Sequence, residues 1–394
     1  MLPNLSEMRL FVNSLVLISI LNSCVDRLEV PQIDQETGVL VVDGLITDQD
    51  GPYQVRLFRV AESDAILNNI ELIRAKQVTI FDDAGKSEVL MRKESGVYET
   101  DPNGMKGQVG RKYSVRVETL DGLIFESEPD AMMPNGSVDS LYYLWEAYQP
   151  INGPSEYGFR IFMNATSTEQ TRLRWKFTGT YELESFPQYR HINDANCGLN
   201  PPPPDPPPCS GWRYNRVSLT NPYAGGTLEQ FSEECTCCLC WIPDHEKKPS
   251  LSEDVIQTNG EYKRIEIGYV PFNQWTFGRG KYMVKVEQMS LSNTAYQFWK
   301  IFKDQKQGTS SLFQPAFGRT QTNLHCTNSN TAVLGIFYAS SITSDVLFIR
   351  ASDSPVKVPP YDIDPPNTNC VLWSDCRTLS AFPNGSIYPP PEWQ

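Results

Sequence analysis

The run Cys235-Thr-Cys-Cys-Leu-Cys240 crowds four thiols into six residues. Thiolates this close can oxidise to disulfides or share a soft metal such as zinc or copper(I). The spacing is not the Cys-x-x-Cys pair repeated at zinc-finger distance, and no histidine adjoins it in sequence, so disulfides are the favoured use. The other cysteines are Cys24, Cys197, Cys209, Cys326, Cys370 and Cys376. Setting Cys24 aside leaves an odd number, which requires one thiol that is free or bonded outside the chain. Proximity suggests Cys197 with Cys209, closing the loop that holds Pro201, Pro202, Pro203, Pro204, Pro206, Pro207 and Pro208, and Cys370 with Cys376. That proline tract should form an extended polyproline II rod, either a stiff surface loop or a partner contact for an aromatic groove. His191, His245 and His325 sit in polar contexts and read as surface residues. His245-Glu246 lacks the second histidine of a zinc-protease helix, no Gly-x-Ser-x-Gly elbow occurs, and Gly278-Arg-Gly280 is too short for a phosphate loop. No catalytic or metal residues are assigned, and a non-enzymatic protein is expected. A glycosidase carboxylate pair is defined by its separation in space, which sequence leaves open.

Position decides what Cys24 does. Arg9 precedes the apolar stretch Leu10–Leu21, which has the form of a signal-peptide core. Twelve residues of helix span about 18 Å, short of the roughly 30 Å hydrocarbon layer. No later segment approaches the length of a membrane span. The sequence Leu21-Asn22-Ser23-Cys24 that follows resembles the lipobox of bacterial lipoproteins. The resemblance implies cleavage after Ser23 and a diacylglycerol plus an N-acyl chain, of the palmitate kind, on Cys24, with no other cofactor. Residues 24–38 would be a polar tether. Asp26 and Glu29 resemble the acidic export signals of some Bacteroidota lipoproteins, and a solvated linker explains them equally well.

The elements that must carry these groups are strands. A chain with 30 Pro and 25 Gly argues against a helical bundle, while 40% hydrophobic and 11% aromatic residues suffice for cores. Val39–Val42, Tyr53–Leu57, Val78–Phe81, Val89–Met91, Val97-Tyr98 and Tyr113–Val117 are strand-like runs with turns every 8–12 positions or so. They predict an immunoglobulin- or transthyretin-like β-sandwich over 39–130, with Asp43-Gly44 as a break and Asp48-x-Asp50-Gly51 as a plain turn rather than a calcium loop. Residues 129–137 read as an interdomain linker. A larger β-rich sandwich domain is predicted over 138–350, with a Cys/Pro-rich insert at about 190–240. Within it Lys281–Glu287 alternates, and Ser292 caps a helix near 292–307 with Ala295, Tyr296, Trp299 and Phe302 on one face. That stripe is expected to be core rather than a ligand platform, with Lys300, Lys303 and Asp304 solvated and Gly308 as the stop. A Pro-rich tail, 351–394, is expected to lie against this second domain. The overall fold class is mostly β, in two sandwiches.

Val41-Val-Asp-Gly-Leu-Ile-Thr-Asp48, Gly51-Pro-Tyr-Gln-Val-Arg56, Ala295-Tyr-Gln-Phe-Trp-Lys300, Leu312-Phe-Gln-Pro315 and Val333-Leu-Gly-Ile-Phe-Tyr-Ala-Ser-Ser341 occur in that order. Together they resemble the Bacteroidota lipoprotein family called domain of unknown function 4249 (DUF4249). The resemblance implies a lipid-anchored, cell-surface or periplasm-facing outer-membrane protein that accompanies a TonB-dependent β-barrel transporter. It transfers no catalytic residues, and the insert from Arg190 to about Cys238 departs from the family pattern. With 34 Lys+Arg against 47 Asp+Glu the net charge is −13, so nucleic acid is not an expected partner. Two other functions stay open. A glycan- or peptide-capture module would gather some of Trp145, Trp212, Trp241, Trp275 and Trp373 in one groove. An envelope hydrolase would bring two carboxylates or a histidine cluster into a cleft.

Overall fold

The computed structural model describes residues 38–60, 70–148, 156–167, 171–186, 205–217, 226–255, 257–307, 322–358, 375–379 and 382–393. Cys24, the leader, the tether, Cys197, Pro201–Pro204, Gly308, Cys370 and Trp373 lie outside the described residues. The chain is mostly β, and period-two burial explains why. In Lys112–Thr119, for example, Tyr113, Val115 and Val117 are buried while Lys112 and Arg116 face water.

Two six-stranded sheets form the first sandwich. One runs in the order Val333–Ser340, Val39–Thr47, Gln54–Val60, Val97–Glu99, Met91–Glu94, with Ile70–Leu72 beside Gln54–Val60. The other runs Leu324–Cys326, Ile124–Ser127, Lys112–Thr119, Ala75–Asp82, Ser87–Val89, with Asp130–Ala131 beside Lys112–Thr119. Val42, Ile46, Val55 and Leu57 meet Val78, Ile80, Val117 and Phe125 in a shared core. The chain passes from one sheet to the other at buried Leu90, whose N–H donates to Val78 O at 2.9 Å.

Two boundaries differ from the sequence reading. Asp43-Gly44 is no break, because Val39–Thr47 runs straight through it. The reason is remote: Val333–Ser340 pairs parallel to this strand, bringing Phe337 opposite Gly44. A Cβ on Gly44 would lie 2.7 Å from the Phe337 ring, so glycine is demanded by a close approach rather than by a turn. Gly335, at φ +95, likewise leaves no room beside Val42 O. The first sandwich is therefore completed by residues 324–340, which the sequence reading assigned to the second domain. Without them the strand Val39–Thr47 would carry a bare edge.

The second sandwich packs Val138–Tyr148, Glu156–Thr166, Glu261–Pro271 and Gln257–Thr258 against Leu239–His245, Arg172–Glu184, Lys281–Leu291 and Ile342–Arg350. Tyr282, Val284 and Val286 point into its core, as their alternation predicts, against Phe159, Ile161, Trp175 and Ile265.

Residues 129–137 are a packed joint rather than a free linker. Asp130–Ala131 pairs with Tyr113 and Lys112, and Met132 is buried in the first core. Asn135 Nδ2 donates to Gln288 O at 2.7 Å and to Ser341 O at 3.0 Å. Buried Gln288 in turn accepts from Trp175 Nε1 at 2.8 Å and donates to Thr166 O at 3.0 Å. Burying amides is tolerated because each finds partners.

The helix Asn293–Gln307 sits on this joint. Ser292 Oγ accepts from Ala295 N at 3.1 Å, as the capping pattern predicts, and its hydroxyl donates to the Asp130 carboxylate. The other Asp130 oxygen accepts from Ala339 N at 3.0 Å. Ala295 and Tyr296 pack with Leu251, Met289, Ile336 and Tyr338, residues drawn from both sandwiches. The Arg174 guanidinium lies 3.7 Å above the Trp299 ring, so the stripe is packing surface. Lys303 is buried, against the solvated position expected of it. Its Nζ reaches Glu253 at 3.7 Å. Among the described residues no helix is long and apolar enough to cross a membrane.

Candidate functional site

The cysteine-rich insert and the tail meet at Leu239–His245, the edge strand beside Arg172–Glu184. Three disulfides form there: Cys209–Cys237, Cys235–Cys238 and Cys240–Cys376. They replace the pairings that proximity suggested. Cys209 bonds Cys237 rather than Cys197, and Cys376 bonds Cys240 rather than Cys370. The physical reason is the edge strand, which fixes Cys240 in the core and makes it, not a sequence neighbour, the thiol facing Cys376.

Backbone hydrogen bonds preorganise the knot. Cys376 N donates to Cys237 O at 3.1 Å, Thr236 N to Cys209 O at 2.9 Å and Ser185 N to Cys238 O at 2.7 Å. Cys237, Cys240 and Cys376 are fully buried, while Cys235 and Cys238 are half-buried. Cys209, Cys237 and Asp375 have the spacing of a metal cluster, but the two sulfurs are bonded to each other and offer no thiolates. Arg377 holds the Asp375 carboxyl below its ordinary range through a hydrogen bond, so that side chain is occupied in an ion pair. Cys326 carries a free thiol on the Leu324–Cys326 strand of the first sandwich.

Only the end of the proline tract is described. Pro206 is buried, and Pro207 has the polyproline II angles φ −63, ψ 146. Pro208 then opens the single 3₁₀ turn Pro208–Ser210, which Gly211 ends at φ +75. This end of the tract is thus clamped beside Cys209 rather than projecting as a rod. Beyond it Trp212–Arg216 and Gly226–Gln230 pair as a hairpin.

The tail supplies a further feature of this edge. Ser386 bridges the edge strand through Trp241, N–H to O at 2.8 Å and 3.0 Å in the two directions. Glu392 then pairs with Lys285 at 2.7 Å, which holds the Glu392 carboxyl below its ordinary range. Trp393 lies edge-on to Trp241 and Phe348, with ring centroids 6.4 Å and 6.0 Å away, and Lys281 Nζ sits 4.4 Å from the Trp393 ring centroid. The signal was present in Tyr388-Pro-Pro-Pro-Glu-Trp393, where three prolines lead into a turn, Trp393 N donating to Pro390 O at 2.9 Å, that carries an acid and an indole.

Among the described residues the tryptophans of a capture groove are not brought into one place. Trp145 and Trp275 pack against the second core, Trp212 is on the hairpin, and Trp241 faces Trp393. His245 ends its strand exposed, and His325 lies 3.8 Å from Glu128, both on the surface.

Fold and knot together define a disulfide-stapled β-protein of two sandwiches joined by a packed, hydrogen-bonded seam. Residues 27–345 match the family model Domain of unknown function (DUF4249), and the chain belongs to that family. No curated protein and no solved structure matches it.

Proposed function

We propose that the protein is a lipid-anchored binding subunit of the bacterial outer membrane, tethered through Cys24 and acting as accessory to a TonB-dependent β-barrel receptor. The observation that carries the reading is the set of three disulfides at the edge of the second sandwich. Disulfides persist in oxidising compartments outside the cytoplasm. Their presence supports export, and export gives the apolar stretch before Cys24 its use as a leader. At about 0.8 kcal/mol per buried methylene, two or three acyl chains hold a protein far more firmly than one. The net charge of −13 discourages nonspecific adhesion to anionic surfaces, leaving affinity to specific contacts.

Purification of the native protein from its own membranes in mild detergent tests this reading. The expected result is an acylated Cys24 in the N-terminal peptide by mass spectrometry, a β-barrel protein in stoichiometric amount, and release of a Cys24→Ala variant into the soluble fraction. An unmodified N-terminal segment, or a solitary protein at native abundance, would overturn it.

A further inference from the structure

We propose that the outer face of the sheet containing Trp241 is a peptide-recognition groove, and that residues 386–393 are its built-in occupant. The partner it fits is a proline-rich peptide that ends in a turn carrying an acidic residue followed by tryptophan. The inference is independent of the anchor at Cys24.

Register defines the groove. Met283 stands opposite Phe348 on one side and Thr180 on the other, and Thr180 stands opposite Pro243. Directly opposed residues share a face, so Pro243, Thr180, Met283 and Phe348 form a row across the sheet. Trp241 lies two residues from Pro243, and Lys281 and Lys285 two residues either side of Met283, all on that face. An aromatic at each edge strand flanks two ammonium groups on a central strand, with Glu182 opposite Trp241 and Glu287 two residues from Lys285 on the same face.

The occupant is held as a ligand is held. Its backbone adds to the edge strand at Ser386, a turn closed by Trp393 N donating to Pro390 O at 2.9 Å shapes its end, and its acid and indole each meet a lysine. Edge-strand addition with side-chain pockets is a standard peptide-recognition mode. Glu392 and Trp393 remain half-buried and Tyr388 is 75% exposed, while Ile387 packs against the margin of the second core. The buried Trp241 Nε1 has no hydrogen-bond partner among the described residues. Burying that donor unpaired is unfavourable, and a peptide carbonyl that reached it would bind more firmly than the strap does. The Cys240–Cys376 bond holds the start of the tail independently, so the strap can leave without detaching the rest.

The test uses the full chain with Glu392→Ala and Trp393→Ala together, and a labelled synthetic peptide of this chain's own sequence, Ser-Ile-Tyr-Pro-Pro-Pro-Glu-Trp. A covalently tethered strap competes at about millimolar effective concentration, so the double variant should bind the peptide about tenfold or more tightly than the parent chain does. Adding Lys285→Glu, or replacing the tryptophan of the peptide by alanine, should remove about tenfold of that affinity. The single charge reversal Glu392→Lys gives a second released chain if the double variant folds poorly, folding being read from intact disulfides and a cooperative melt. The proposal is overturned if a folded, strap-released chain leaves the peptide unbound, or if parent and variant bind it equally. It is also overturned if light scattering shows copies exchanging straps, which would make a second copy the occupant.

Discussion

The two sandwiches solve the same closure problem by different means. The first has no disulfide among its described residues and is shut by a strand that returns from far along the sequence, Val333–Ser340 beside Val39–Thr47. The second is shut at its edge by covalent bonds and a tail, through Cys240–Cys376 and the Trp241–Ser386 bridge. A returning strand makes the first unit depend on everything threaded between residues 131 and 324. A staple makes the edge of the second unit depend on redox conditions as well as on its pairing with Arg172–Glu184. The first is therefore global in its stability and the second locally separable.

Phe337 gives the largest expected break of this contrast. It is fully buried, fits against Gly44 and packs in the first core. Phe337→Ala should cost about 3–5 kcal/mol from lost transfer energy and the cavity left behind. Only Ser341 separates its strand from Ile342–Arg350 of the second sandwich, so the loss should be shared. Urea denaturation should show one lowered midpoint, and hydrogen exchange should accelerate in Ile342–Arg350 as well as in Val39–Thr47. Loosening confined to the first sandwich would show that the joint does not transmit.

The paired change Cys240→Ser with Cys376→Ser should act in the opposite, local way. The bond closes a loop of 136 residues, and removing such a link costs about 2–5 kcal/mol. Exchange should rise through Leu239–His245 and residues 375–393, while protection of Val39–Thr47 stays as it was. If protection in the first sandwich fell equally, the staple would be a determinant of the whole fold and the contrast would dissolve.

What was legible in the sequence was what is local. Ser292 caps its helix because its hydroxyl needs only a neighbour three residues on, and Tyr282, Val284 and Val286 alternate because a pleat does. Gly44 was misread because the cause of its glycine, the ring of Phe337, lies almost three hundred residues away. Lys303 was misread because the carboxylate it is buried beside, Glu253, comes from a different segment of the chain. The cysteine partners were misread for the same reason as Gly44. Cys209 and Cys376 choose thiols that the sheet presents, and sequence distance carries no information about that. Of the candidate groove, the occupant was visible as a proline-rich acidic and aromatic run. The receptor was not, since Trp241, Lys281, Lys285 and Phe348 come from separate strands whose adjacency is a product of pairing.

The smallest effect expected is a pH dependence at the edge of the second sandwich. Lys285 hydrogen-bonds the Glu392 carboxylate and lowers its pKa from the ordinary 4.5, with partial burial opposing. A carboxyl whose folded value is depressed contributes stability that is fully present above its unfolded value and disappears as pH falls through the folded one. The strap should therefore be held at neutral pH and loosen as the solution is acidified below about 4.5. Glu287 also lies near Lys285, at 4.0 Å, and Lys281 faces the adjoining ring, so protonation weakens the site without reversing its charge. Trp393 fluorescence, followed against acid in the parent chain and in Glu392→Gln, separates this carboxyl from the rest. The parent should show a transition that the amide variant lacks, and added salt should shrink it, since the pair is partly exposed. An identical acid response in both chains would assign the loosening to the fold as a whole, and the edge of the second sandwich would then be no more separable than the first.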